Sequence, residues 1–97
     1  MKPTRKIEIV IDKHRAKAVI AVFDRHGLSG WSQLRVQAGS GERGVRRDDE
    51  LSGAASTSLL ITTCRPEKLD PVLEELRPIL SRFGGVCLVS EASWLVH

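Results

Sequence analysis

The chain has 97 residues, 41% of them hydrophobic and 28% charged, with a formal net charge of +3. That is enough for one domain around one core and too little for a dinucleotide-binding fold with a separate substrate domain. The composition excludes a disordered chain, and no apolar run of about 18 residues is present to cross a bilayer as a helix. The N-terminal residues, MKPTRKIEIVIDKHR, lack the apolar core of a secretory signal, so a cytoplasmic protein is expected. Cys64 and Cys87 have no C-x-x-C spacing and are expected to be small buried hydrophobes rather than zinc ligands or a disulfide.

In KIEIVI, Ile7, Ile9 and Ile11 alternate with Glu8 and Val10, the period of two of a half-buried strand. DKHRAKAVIAVFDRHG then places Ala16, Val19, Ile20 and Phe23 at helical spacing, with Asp12 as the N-cap and Gly27 as the stop. After a turn holding Gly27 and Gly30, WSQLRVQA alternates Ser32, Leu34 and Val36 against Trp31, Gln33 and Arg35 as a second strand. A glycine-rich stretch follows, and STSLLITTC is a third strand, apolar enough for the centre of a sheet. A second helix runs through RPEKLDPVLEELRPILSRFGG on a stripe of Leu69, Val72, Leu73, Leu76, Leu80 and Phe83. Pro66 or Pro71 suits its first turn, the latter with Asp70 as cap, whereas Pro78 is expected to bend or shorten it. VCLVS makes a fourth strand and SWLV a short fifth. The order predicts a single α+β domain over residues 1–97: a ferredoxin-like βαββαβ sandwich with two helices on one face of an antiparallel sheet.

Residues 39–53, GSGERGVRRDDELSG, begin with the spelling G-x-G-x-x-G. A dinucleotide-binding turn needs those glycines to open a crossover helix, and VRRDDELSGAAS has no apolar periodicity from which to build one. What remains is a connection of about 20 residues between two strands, long enough to require a functional reason. Gly39 and Gly41 allow close approach of backbone amides to an anion, and Arg43 and Arg46 supply guanidinium forks for phosphate. Arg43, Arg46 and Arg47 face Glu42, Asp48, Asp49 and Glu50, so the connection is no general polyanion-binding arm.

The motif GSGERGVR resembles the G-S-G-x-R-x-V-R loop of PII-like signalling proteins, and FGGVCLVSEASWL is similar to their closing turn and strand. The likeness is greatest to the SbtB and carboxysome-associated PII-like (CPII) branch. It implies a homotrimer with a T-loop at about 39–56 that changes order when an adenine nucleotide binds between subunits. Carried onto this chain, it implies backbone contacts from Gly39, Ser40 and Gly41, and phosphate contacts from Arg43 and Arg46. Ser32 would lie near the adenine, and Gly85 and Val86 would close the facing wall. Bicarbonate is a further implied ligand, at Gly41, Arg43 and Arg46, as is a partner such as a bicarbonate transporter or a carboxysome component. The residues up to His97 carry neither the C-G-P-x-x-C segment of SbtB relatives nor the tyrosine modified in nitrogen-regulatory members. AMP or ADP is therefore expected over ATP or cyclic AMP, without redox control through that segment.

Three other readings compete. A nucleic-acid-binding ferredoxin-like module would need aromatics on the sheet, and only Phe23, Trp31, Phe83 and Trp94 are present, the phenylalanines on core stripes. A metal-responsive trimer of the CutA-like kind would need ligands that His14, His26 and His97 do not supply by their spacing. No nucleophile–base or paired-carboxylate arrangement points to an enzyme, and Trp31 and Trp94 are expected in packing or a trimer interface.

Overall fold

The computed structural model describes residues 1–28, 30–36, 38–41, 44–47 and 56–97. The first strand, β1 (Lys2–Asp12), is longer than the alternation alone suggests, and its Ile7, Ile9 and Ile11 are buried. Asp12 ends it by accepting a hydrogen bond from the His14 amide at 2.9 Å, which closes a 3-10 turn over Lys13–Arg15. That turn feeds α1 (Ala16–Arg25), which buries Ala16, Val19, Val22 and Phe23, while Ile20 packs at the margin. Gly27, at φ 74°, reverses the chain so that the Leu28 amide reaches the Phe23 carbonyl and the Leu28 side chain enters the core.

The remaining elements are β2 (Trp31–Val36), β3 (Ala38–Gly41), β4 (Gly44–Arg47), β5 (Thr57–Cys64), α2 (Leu69–Phe83) and β6 (Val86–Trp94). The main sheet has the order β2-β5-β1-β6, and every adjacent pair is antiparallel. This is the ferredoxin-like βαββαβ arrangement, with β1 and β5 central and β2 and β6 at the edges. Buried Leu60 from β5 joins the β1 isoleucines against Val19 and Phe23 of α1 and Val72 and Leu76 of α2.

Two local expectations are corrected, and a third is decided between its alternatives. The second helix takes Pro66 rather than Pro71 into its first turn, a 3-10 turn over Pro66–Lys68 that runs directly into Leu69. It then continues through Pro78 to Phe83; Pro78 is exposed, so the hydrogen bond it forgoes lies on the solvent side. There is no separate fifth strand: β6 runs unbroken through Trp94, because the length of β1 gives it a partner as far as Lys2.

The two helices are also clamped by charge. Glu75 of α2 accepts from Arg25 Nε at 3.0 Å and from His26 Nε2, and Lys68 Nζ donates to the His26 carbonyl at 3.1 Å. The hydrogen bond from His26, with those of Arg25, holds the Glu75 carboxyl below the usual carboxylate range.

Candidate functional site

Strand register sets the root of the long connection and the turn into β6 at one end of the sheet. Val36 opposes Thr57, Thr57 opposes Asp12, and Val10 opposes Val86. The end of β2, the start of β5, the end of β1 and the start of β6 therefore form a single rim. Opposed residues share a face, so Ser32, Leu34, Val36, Val10 and Val86 all project away from the helices.

The turn into β6 is held tightly against this rim. The Gly84 amide donates to the Leu80 carbonyl at 2.8 Å, and Gly84 and Gly85 both take positive φ, 77° and 119°. A Cβ at Gly85 would lie 2.8 Å from the Val10 carbonyl oxygen and 3.2 Å from Leu80 Cδ2, so only glycine lets the turn approach β1 this closely. Arg15 stacks 3.9 Å from the centroid of Phe83 and Arg82 lies 5.1 Å from it, tying the first 3-10 turn to the end of α2 beside those glycines.

Ser32 is exposed on β2, and Val86 is exposed at the head of β6. Those are the two edge strands, separated by three strand spacings, or about 14 Å. One chain thus aligns these residues on one face but does not bring them together. Gly39, Ser40 and Gly41 lie on β3, opposite Arg46, Val45 and Gly44 of β4. A two-stranded ribbon stands where an irregular connection was expected. Its pairing restricts the glycine motif, because amides alternate along an extended strand: Gly39 and Gly41 share a direction that Ser40 does not. Arg43 lies outside the described residues, as do residues 48–55.

Two basic residues that sequence reasoning passed over stand at the same rim. Lys13, residues 33–35 and residues 56–58 border a cleft of about 450 Å³ between the end of β2 and the start of β5. The available signal was positional: Arg35 is the last cation before the long connection, and Lys13 directly follows the strand end against which that connection returns.

Elsewhere the chemistry is quiet. Burial pushes the Cys64 and Cys87 thiols up, away from the reactive thiolate. Cys64 is buried as expected, whereas Cys87 is only half-buried. Among the described residues no cluster of His, Cys, Asp and Glu has the arrangement of a metal site, and no helix is long and apolar enough to cross a membrane.

Comparison with known proteins agrees with the fold. CPII, a nitrogen regulatory PII-like protein from Thiomonas intermedia K12, bound to ADP, AMP and bicarbonate, superposes with a TM-score of 0.85 at 22% identity, covering 95% of this chain and 88% of CPII. A PII-like signalling protein from Thermus thermophilus gives a TM-score of 0.76 at 18% identity over 94% of this chain and 88% of that one. A DUF3240 family protein from Shewanella baltica gives 0.70 at 11% identity over 100% and 96%. No curated protein matches the sequence. The family model of nitrogen regulatory protein P-II matches residues 4–95, and the chain belongs to that family.

Proposed function

We propose that the protein is a non-enzymatic regulator that binds an adenine nucleotide, AMP or ADP, in a cleft between subunits and signals through its T-loop, the β2–β5 connection at about 39–56. The observation that carries this reading is the rim itself. The root of the connection sits on one edge strand and Val86 on the other, at one end and on one face of the sheet, with Ser32 on the same face four residues before Val36. Two half-sites that one chain holds about 14 Å apart become a single site when the β2 edge of one subunit meets the β6 edge of another. The complex of CPII with ADP, AMP and bicarbonate supports the choice of ligands.

The sheet face opposite the helices supports a homotrimer. Leu34, Val86 and Leu88 are 47%, 51% and 59% exposed there, flanked by half-buried Val10, Leu59 and Ile61. Glu8, paired with Lys6 at 3.5 Å, lies between Ile61 and Leu88. The row of Leu34, Leu59, Val10 and Val86 beside it is apolar across all four strands and calls for a partner, which two further copies of the chain would supply. In this arrangement Arg43 and Arg46 contact phosphate, the ribbon supplies Gly39 and Gly41 amides to one side, and bicarbonate competes for or extends the site at Gly41, Arg43 and Arg46. A bicarbonate transporter or a carboxysome component would read the connection, placing the protein in inorganic-carbon regulation in the cytoplasm.

Calorimetric titration with AMP, ADP, ATP and cyclic AMP, with and without bicarbonate, tests this. The expected result is saturation near one nucleotide per chain, weakened at least tenfold in the Arg43→Ala/Arg46→Ala double variant. No binding of any of the four would remove the nucleotide reading and leave the fold untouched.

A further inference from the structure

At the end of α2 two guanidiniums are gathered on one aromatic ring. Arg15 lies 3.9 Å and Arg82 5.1 Å from the Phe83 centroid, so their separation cannot exceed the sum of those distances. A guanidinium over a ring engages it with its face, and its five N–H donors stay in the guanidinium plane, pointing past the ring. Among the described residues neither guanidinium has a hydrogen bond or an ion pair, and both residues are exposed.

The carboxylates that could neutralise them are engaged or distant. Asp12 accepts from the His14 amide, Glu8 pairs with Lys6, Glu74 with Arg77, Glu75 with Arg25 and His26, and Glu91 with Arg5. Asp24, Glu67 and Asp70 stand where α1 ends and α2 begins, at the opposite end of the sheet from the Gly84–Gly85 turn. The first turn of α1 holds no acidic residue, and Lys13 and Lys17 flank Arg15 in sequence. Two like charges held on one ring repel, and an anion placed between them removes that cost. Two planar forks around one phosphate also satisfy its oxygens geometrically.

The pair adjoins the turn that carries the proposed nucleotide contacts. Phe83 runs directly into Gly84 and Gly85, which pack on the Val10 carbonyl and lead Val86 onto the open face. Arg82 and Phe83 precede that turn at the end of α2, and Arg15 follows the end of β1, so the guanidiniums lie on the helix side of the turn. We propose, on the nucleotide reading above, that Arg15 and Arg82 hold the second phosphate of a nucleoside diphosphate and so make the site prefer ADP to AMP. The first phosphate stays with the contacts already assigned, and the second reaches past the Gly84–Gly85 turn to the stacked pair. AMP has no group to place there.

Calorimetric titration of ADP and AMP into the wild type and into Arg15→Gln/Arg82→Gln is the direct test. Both positions are exposed, so an unchanged thermal midpoint serves as the folding control. The expected result is that the double variant weakens ADP at least tenfold and AMP less than twofold, so that the preference for ADP collapses. Lys13→Gln/Lys17→Gln removes the same charge from flanking positions and is expected to weaken ADP no more than about threefold. An equal loss there would mean a diffuse field and overturn the assignment. So would a double variant that loses neither nucleotide or both alike, or a wild type that binds AMP as tightly as ADP. A wild type that binds neither would instead remove the nucleotide reading itself, and this assignment with it.

Discussion

The two faces of the sheet obey the same alternation and meet opposite fates. On the helix side, Ile7, Ile9 and Leu60 are completely buried by residues of their own chain. On the other side Leu34, Val86 and Leu88 stay about half exposed, although their apolar character is the same. The difference is one of supply: two helices cover one face of a four-stranded sheet, and among the described residues no further element covers the other. An apolar open face is therefore a statement about a second molecule, whereas an apolar closed face is a statement about folding.

Substitutions can break that contrast, in descending order of effect. Leu60→Ala should cost about 2–5 kcal/mol in urea denaturation, since it empties a fully buried site. Leu88→Ala, chemically the same change, should cost the dilute monomer no more than about 0.5 kcal/mol. If Leu88→Ala instead destabilises progressively with protein concentration, another copy covers that face. Gly85→Ala should cost about 1–3 kcal/mol, because a Cβ meets the Val10 carbonyl and φ is unfavourable. Gly30→Ala, where a Cβ has nothing within 4 Å, is the matched control and should be nearly neutral. Asp12→Ala removes the bond to the His14 amide and should cost about 1 kcal/mol, read as a lowered thermal midpoint.

The smallest effect concerns the helix side alone. The folded-state pKa of Glu75 lies below its unfolded value, so its contribution is present above the unfolded carboxylate range and is lost as pH falls through the folded pKa. Wild type minus Glu75→Gln should thus show a stability difference at neutral pH that disappears under acid. A difference independent of pH would mean that packing, not charge, joins α1 to α2 at this point.

The closed face was largely legible in the sequence because its signal is repeated. Three isoleucines at a spacing of two and leucines at helical spacing each report the same core, so strand and helix assignments reinforced one another. Local terminations were less so. Pro66 and Pro71 both suited the first turn of the second helix and the sequence did not choose between them, and SWLV looked separate only because the partner residues at Lys2–Thr4 carry no strand signal of their own. The candidate site divides in the same way. The glycine motif drew attention to residues 39–46 and the family resemblance to Gly85 and Val86, and the family match over residues 4–95 agrees with the fold that the resemblance implied. Lys13 and Arg35 were missed, since their proximity arises only from register across β2, β5 and β1. No spacing within a single segment encodes it. The ribbon of β3 and β4 was missed because Gly and Ser carry almost no strand propensity.

The strand order has a further consequence in time. β1 leaves the ribosome well before both of its neighbours, β5 and β6, which come from the second half of these 97 residues. Until they arrive, Ile7, Ile9 and Ile11 have only the adjoining helix to shelter them, and every pairing β1 finally makes must close a long loop. The nascent chain therefore carries an unpaired, strongly β-forming segment through most of its synthesis. Its slow step should be the docking of β5 onto β1, which brings the two roots of the long connection to the same rim.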